Sequence, residues 1–378
     1  METTLVAFAA FAAVSSYAGV TIDGLFDAGY QSNSLQGVRV SGIEGNGAGT
    51  SQFNLRGTED LGGGLSSSFH LETDFSAVSN TANTGSMFSP STGSAGANNG
   101  SASRFGNGEI AVGVKGGFGQ VQFGAINNAG LEYVALVAPI FGTALGGGYG
   151  ATVGANTAFN AVRWNNSVRY DTPVYSGVQV SLIAAAKQTG AMPASTSTSY
   201  SSTIGMNNVA GASELSARYS AGPLKVLVVS GTTQQTNGNN DTQRDLGASY
   251  SLSDALSISG GVQITNLTAT SSKAAFSTSS KSVGAVYTVG QNRFIANFTT
   301  LSNSLANMNN ATQTGLGYDY LLSKTTKVYF RSDRLSDSTG ASFAADVSTS
   351  STGGATLVGA TTGQRTFNKT AVGVRVDF

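Results

Sequence analysis

The chain has no cysteine, and its 378 residues include only 5 prolines, 1 tryptophan and 1 histidine. Without thiols there is no disulfide framework, so backbone pairing and packing must hold the fold. One histidine and no cysteine leave little from which to build a metal centre or an activated Ser or Cys nucleophile. Charge is scarce too: Asp, Glu, Lys and Arg make up 11% of the chain, against about a quarter in soluble domains. The 20 basic and 20 acidic residues cancel, so nothing in the charge balance points to nucleic acid. No apolar run is long enough for a transmembrane helix.

The longest apolar stretch, 5–14 (LVAFAAFAAV), has the length of a signal-peptide core, and Ser16 and Ala18 supply the small residues of a cleavage site. No basic residue precedes it, yet about ten residues cannot cross a hydrocarbon core of roughly 30 Å. The expectation is a signal peptide over 1–18 and a single domain over 19–378.

Glycine is abundant, at 50 residues, and mean hydropathy is zero. Small polar residues of this kind suit a wall with a wet side, provided each strand keeps one apolar face. The final segment shows that face: Val372, Val374, Val376 and Phe378 alternate with Gly373, Arg375 and Asp377. Period-two segments recur at 20–30, 51–57, 65–75, 109–115, 120–124, 162–170, 178–186 and 214–219. They continue at 224–229, 244–250, 255–265, 282–289, 293–299, 314–320, 326–334 and 367–378, about sixteen in all. Seven connections are tight and rich in Gly, Pro, Asp and Asn: 58–64, 116–119, 171–177, 220–223, 251–254, 290–292 and 321–324. Between them lie long polar links: 31–50, 76–108, 125–161, 187–213, 230–243, 266–281, 300–313 and 335–366. This alternation predicts an all-β transmembrane antiparallel barrel with short periplasmic turns and long external loops. A β-solenoid would show a repeat of fixed length, and none is present. Tyr30, Phe75, Tyr170, Tyr175, Tyr219, Tyr250, Tyr318, Tyr320 and Phe378 fall near strand ends on the outward parity, as an interfacial girdle requires.

Six stretches resemble the Gram-negative general porins of the β-proteobacterial type, the group that includes the neisserial porins. They are Val20-Thr-Ile-Asp-Gly-Leu-Phe-Asp-Ala-Gly29, Leu55-Arg-Gly-Thr-Glu-Asp-Leu-Gly-Gly-Gly-Leu65 and Val112-Gly-Val-Lys-Gly-Gly-Phe-Gly-Gln-Val121. The others are Asn165-Asn-Ser-Val-Arg-Tyr-Asp-Thr-Pro-Val-Tyr-Ser-Gly177, Tyr320-Leu-Leu-Ser-Lys-Thr-Thr-Lys-Val-Tyr329 and the closing 373–378. The resemblance implies a sixteen-stranded, water-filled general diffusion channel in an outer membrane. It would form a homotrimer in contact with outer-membrane lipid and lipopolysaccharide, pass ions and small hydrophilic solutes, and need no cofactor. It also implies a third external loop folded inward as the constriction, here 125–161, which is long and nearly uncharged. In this family an end such as Val372, Val374, Val376 and Phe378 resembles the signal read during assembly.

Strand parity assigns the lumen. Gln52, Arg56, His70, Glu72, Glu109, Lys115, Arg163, Arg169, Arg218 and Arg331 fall on the inward side, with Glu132 on the constriction loop. Arg293, Lys327, Arg375, Asp23, Asp27, Asp171, Asp333 and Asp377 share that side, whereas Trp164 is expected to point outward. Family members often carry arginine where Gln52, Gly108 and Ala125 stand, and a carboxylate where Ile140 stands. The eyelet is therefore expected to be less charged than is usual, with a slight anion preference from Arg163, Arg169 and Arg218. An enzyme is disfavoured, since His70 has no nucleophile motif beside it. The alternatives on the same barrel are a substrate-specific channel, which would need an inward aromatic ladder where only Tyr329 faces in, and a surface adhesin using loops such as 76–108 and 335–366.

Overall fold

The computed structural model describes residues 19–35, 38–45, 47–75, 77–78, 106, 108–140, 163–186, 209–235, 239–268, 275–304, 311–337 and 365–378. Residues 1–18, where a signal peptide is expected, and most of the four longest links lie outside the described residues. The first strands are β1 (Gly19–Leu35), β2 (Val38–Gly45), β3 (Gln52–Gly62), β4 (Leu65–Asp74), β5 (Ile110–Gly116) and β6 (Gly119–Asn127). A helix α1 (Ala129–Val137) follows, then β7 (Arg163–Asp171), β8 (Val178–Ala185), β9 (Val209–Ala221), β10 (Leu224–Gln235) and β11 (Asn240–Ser251). The chain finishes with β12 (Leu256–Leu267), β13 (Phe276–Val289), β14 (Asn292–Asn303), β15 (Ala311–Leu321), β16 (Thr326–Asp337) and β17 (Arg365–Asp377).

Each strand pairs antiparallel with its neighbour, and β17 returns to β1 from Leu25↔Asp377 to Leu35↔Phe367. The seam leaves no edge, as a strand assembly in lipid requires. The lower half of β1 pairs with β3 and the upper half with β2, so these two share one stave of a sixteen-stave barrel. All seven short connections are tight turns, and Gly222 and Gly290 take the positive φ, 56° and 57°, that only glycine adopts freely.

The outward stripe is apolar and exposed, from Val20, Ile22 and Phe26 on β1 round to Val372, Val374, Val376 and the adjoining Phe378. Most inward positions on the same strands are small, polar or charged. Three expectations need correction. Strand covers most of the links 31–50 and 230–243 and half of 266–281 and 300–313, because β1, β10, β12, β13, β14 and β15 run past the apolar alternation. There most outward residues are themselves Ser, Thr, Gln or Asn, so the ladder continues while the hydropathy signal weakens. Trp164 is packed inside rather than exposed, against Ile126, Ala111, Ile183 and Ala185. Asn166, at φ 55°, breaks the strict alternation of β7 between Trp164 and the outward Val168. Phe75 also departs from the girdle: it is buried against Phe26, ring centroids 5.0 Å apart and edge-on.

Candidate functional site

A nine-residue helix is too short to be stable alone. The barrel wall stabilises α1. Asn128 caps it, its side chain accepting from Leu131 N at 3.1 Å, and Glu214 on β9 accepts from Ala129 N at 2.6 Å. Tyr133, Val134 and Val137 are fully buried against Leu227 and Val229 of β10 and the inner faces of β11 and β12. Each of the two valines contributes about 1.5–3 kcal/mol on burial. Burial also pushes the Tyr133 phenol up, and the nearby Asp245 adds to the shift, so the ring stays neutral.

The wall receives this helix on a track of inward glycines. A Cβ on Gly247 would lie 2.7 Å from Val137 Cγ1, and one on Gly261 would meet both Val137 and Tyr133. Beyond the helix, Pro139 covers Gly284 on β13 and Ile140 covers Gly315 on β15. Ser259 donates its hydroxyl to Val137 O at 3.2 Å. Gly247→Leu should push α1 off the wall without touching the wall's own ladder. Single-channel conductance is expected to fall while the heat-resistance of the folded barrel, read by gel mobility, stays near that of the parent.

Facing the helix, the wall from β3 to β9 carries one set of charges. Glu132 on α1 reaches Arg169 Nη2 at 3.1 Å and Arg218 Nη2 at 2.6 Å, with a further bond to Arg218 Nε. Asp171 takes Arg169 Nε at 3.0 Å and lies 3.8 Å from Arg218. Ser181 bridges Asp171 and Arg218. Two guanidiniums thus share two carboxylates. Arg163 pairs with Glu72 at 2.5 Å beside Asp74, and His70 sits between Glu109 Oε2 at 3.1 Å and Asn54 Oδ1 at 3.0 Å. Glu109 also accepts from Asn127 N, tying this group to the chain just before α1.

The remaining lumen candidates are dispersed. Gln52 opens β3, and Arg56 is half-exposed with Asp23 at 2.9 Å. Lys115 is exposed at the turn end of β5. Arg331 lies on another part of the wall, where Asp319 holds it at 2.6 Å together with Lys327 at 3.2 Å. Ile140 is buried on Gly315 instead of presenting a charge. Tyr329, the one inward aromatic of the sequence reading, is buried with its hydroxyl on Asp27, so it offers no stacking surface. Sequence reasoning missed Glu214 and Asp245, both inward and buried, and the glycine track. The signal available for the track was glycine recurring at inward positions of adjacent strands.

A family model described as Gram-negative porin matches residues 3–340. An outer membrane porin protein of Bordetella pertussis is 34% identical over 133 residues, covering 34% of this chain and 29% of that one. Outer membrane porin protein 32 of Delftia acidovorans is 30% identical over 191 residues, 47% of each chain. The matched segments therefore span less than half the length of these curated relatives. Among solved structures, an anion-selective porin from Comamonas acidovorans superposes with a TM-score of 0.71 at 22% identity, over 96% of this chain and all of that one. The outer membrane protein OmpT of Vibrio cholerae gives 0.61 at 14%, over 95% and 97% of the two chains. At these identities the structural likeness speaks for the barrel alone, while the family model spans most of the sequence. The chain belongs to the Gram-negative porins.

Proposed function

We propose that this protein is a general diffusion channel of the outer membrane, passing ions and small hydrophilic solutes down their gradients. The observation that supports the reading is α1, packed on the inner wall of a closed barrel whose outer stripe is apolar. The loop 125–161 forms the constriction in this reading, and Gln52, Arg56, His70, Glu72, Glu109, Lys115, Glu132, Arg163, Arg169, Arg218 and Arg331 line the path. Selectivity is weak, because the three arginines nearest α1 are each matched by a carboxylate and a paired charge presents little net field to a passing ion. The working unit is a homotrimer surrounded by lipid and lipopolysaccharide. Porins are channels rather than enzymes, and His70 is a wall residue whose ring nitrogens both face acceptors already in place.

Planar-bilayer recordings of the purified protein test this. Ohmic conductance with three equal closing steps is expected, and an absence of channels would overturn the reading. Liposome swelling should fall smoothly with solute size; a sharp preference for one solute class would favour a specific channel instead.

A further inference from the structure

The stave opposite β1 leaves the wall between β2 and β3. From Leu25 to Ala28, β1 takes three steps while its partner takes seven, from Gln52 back to Gly45, so the partner carries four residues more than the ladder can use. An ordinary bulge carries one. The surplus turns into the barrel. Asp27 faces inward and is fully buried beneath it. Its Oδ1 accepts from Gly47 N at 2.8 Å and from the Tyr329 hydroxyl at 2.7 Å, and its Oδ2 accepts from Ala48 N at 2.7 Å. Arg375 donates to Ala48 O at 3.0 Å, and Ala48 packs with Tyr329 and Ala371 on the inner face of β16 and β17. Ser51 Oγ accepts from Asp27 N at 3.0 Å, replacing the ladder bond that the break removes.

Charge-assisted bonds from two successive amides to one carboxylate are stronger than neutral ones and fix the backbone in place. Residues 129–140 cover β10 to β13 and reach β15, while 47–51 covers β16, β17 and β1. The two inner layers continue one another along an arc of the wall. The ion-paired face from β3 to β9 stands opposite that arc.

We propose that segment 47–51 is a second narrowing element of this pore, and that Asp27 is the positioning residue that clamps it inward. The proposal rests on the channel reading above and adds a determinant that acts by size rather than charge.

Deleting residues 47–50 leaves Ser51 opposite Phe26 and Asn46 opposite Asp27, so the count matches and the ladder can run unbroken. Conductance of this variant should rise roughly 1.5-fold, with a larger solute cutoff in liposome swelling. The second test combines Asp27→Ala with Ala48→Cys and Ala371→Cys in a chain that otherwise has no cysteine. Reduced, its conductance should match the raised value; oxidised, it should return to the parent value. A deletion variant that inserts and conducts like the parent overturns the proposal, as does a triple variant indifferent to oxidation. A parent protein that forms no channel would sink the channel reading instead, so the two failures are distinguishable.

Discussion

Glu132→Gln should turn a weakly selective pore into an anion-selective one. The side chain serves two guanidiniums at once, and with Asp171 it brings that cluster to neutrality. Removing one negative charge leaves Arg169 and Arg218 sharing Asp171 alone. An ion passing about 5 Å away in water then feels a change of ~0.8 kcal/mol, opposite in sign for cation and anion. The permeability ratio should therefore move up to about tenfold toward anions at low salt. The shift should shrink as salt rises, because the Debye length is only about 10 Å at 0.1 M. Reversal potentials in a salt gradient measure it. Gln keeps the shape of Glu and the glycine track still holds α1, so the solute cutoff should not change. An unchanged reversal potential would mean that passing ions do not sense this cluster. A raised cutoff would mean that Glu132 positions the helix rather than setting the field.

Removing Phe378 should act on assembly instead. Its N–H donates to Gly24 O at 3.0 Å and its carbonyl accepts from Gly24 N at 3.1 Å, and its ring lies 5.8 Å from that of Phe26. Its loss opens the end of the seam between β1 and β17, leaving two groups of Gly24 unpaired at the membrane edge. Unsatisfied groups in lipid cost several kcal/mol each, so the amount of protein folded into membranes should fall about tenfold or more. The fraction that does insert should conduct as the parent does, because the lumen side of the seam is untouched. Phe378→Ala separates the causes: it keeps both backbone bonds and loses only the ring. If that variant assembles as poorly as the deletion, the aromatic is the feature read during assembly. If the deletion assembles normally, neither feature matters.

The outward stripe made the barrel legible, since Val, Leu, Ile and Phe at alternate positions give a period that nothing else produces. The seven tight turns were legible for the same local reason, as Gly222 and Gly290 illustrate. What could not be read was the length of strands whose two faces are both polar, such as the Ser-Gly-Thr-Thr-Gln-Gln end of β10. Trp164 was misplaced because parity carries no warning of a residue such as Asn166 that breaks it. At the site, the arginines were readable as inward but their partners were not. Arg163 and Glu72 are 91 residues apart in the chain, and Arg218 and Glu132 are 86 apart. Only the closed ring brings them together.

The surplus in the broken stave is an even number, and that has a consequence for how this segment can vary. Ile43 above the break and Leu55 below it face the same way, opposite the outward Tyr30 and Ile22 of β1. Glu44 above the break shares the inward side with Asn54 below it. Were the ladder to close without a bulge, an odd change in length would reverse one half of the stave, sending Ile43 toward the water and Glu44 into lipid. An unbroken stave is therefore reached only by an even change in length, a rule that free external loops escape.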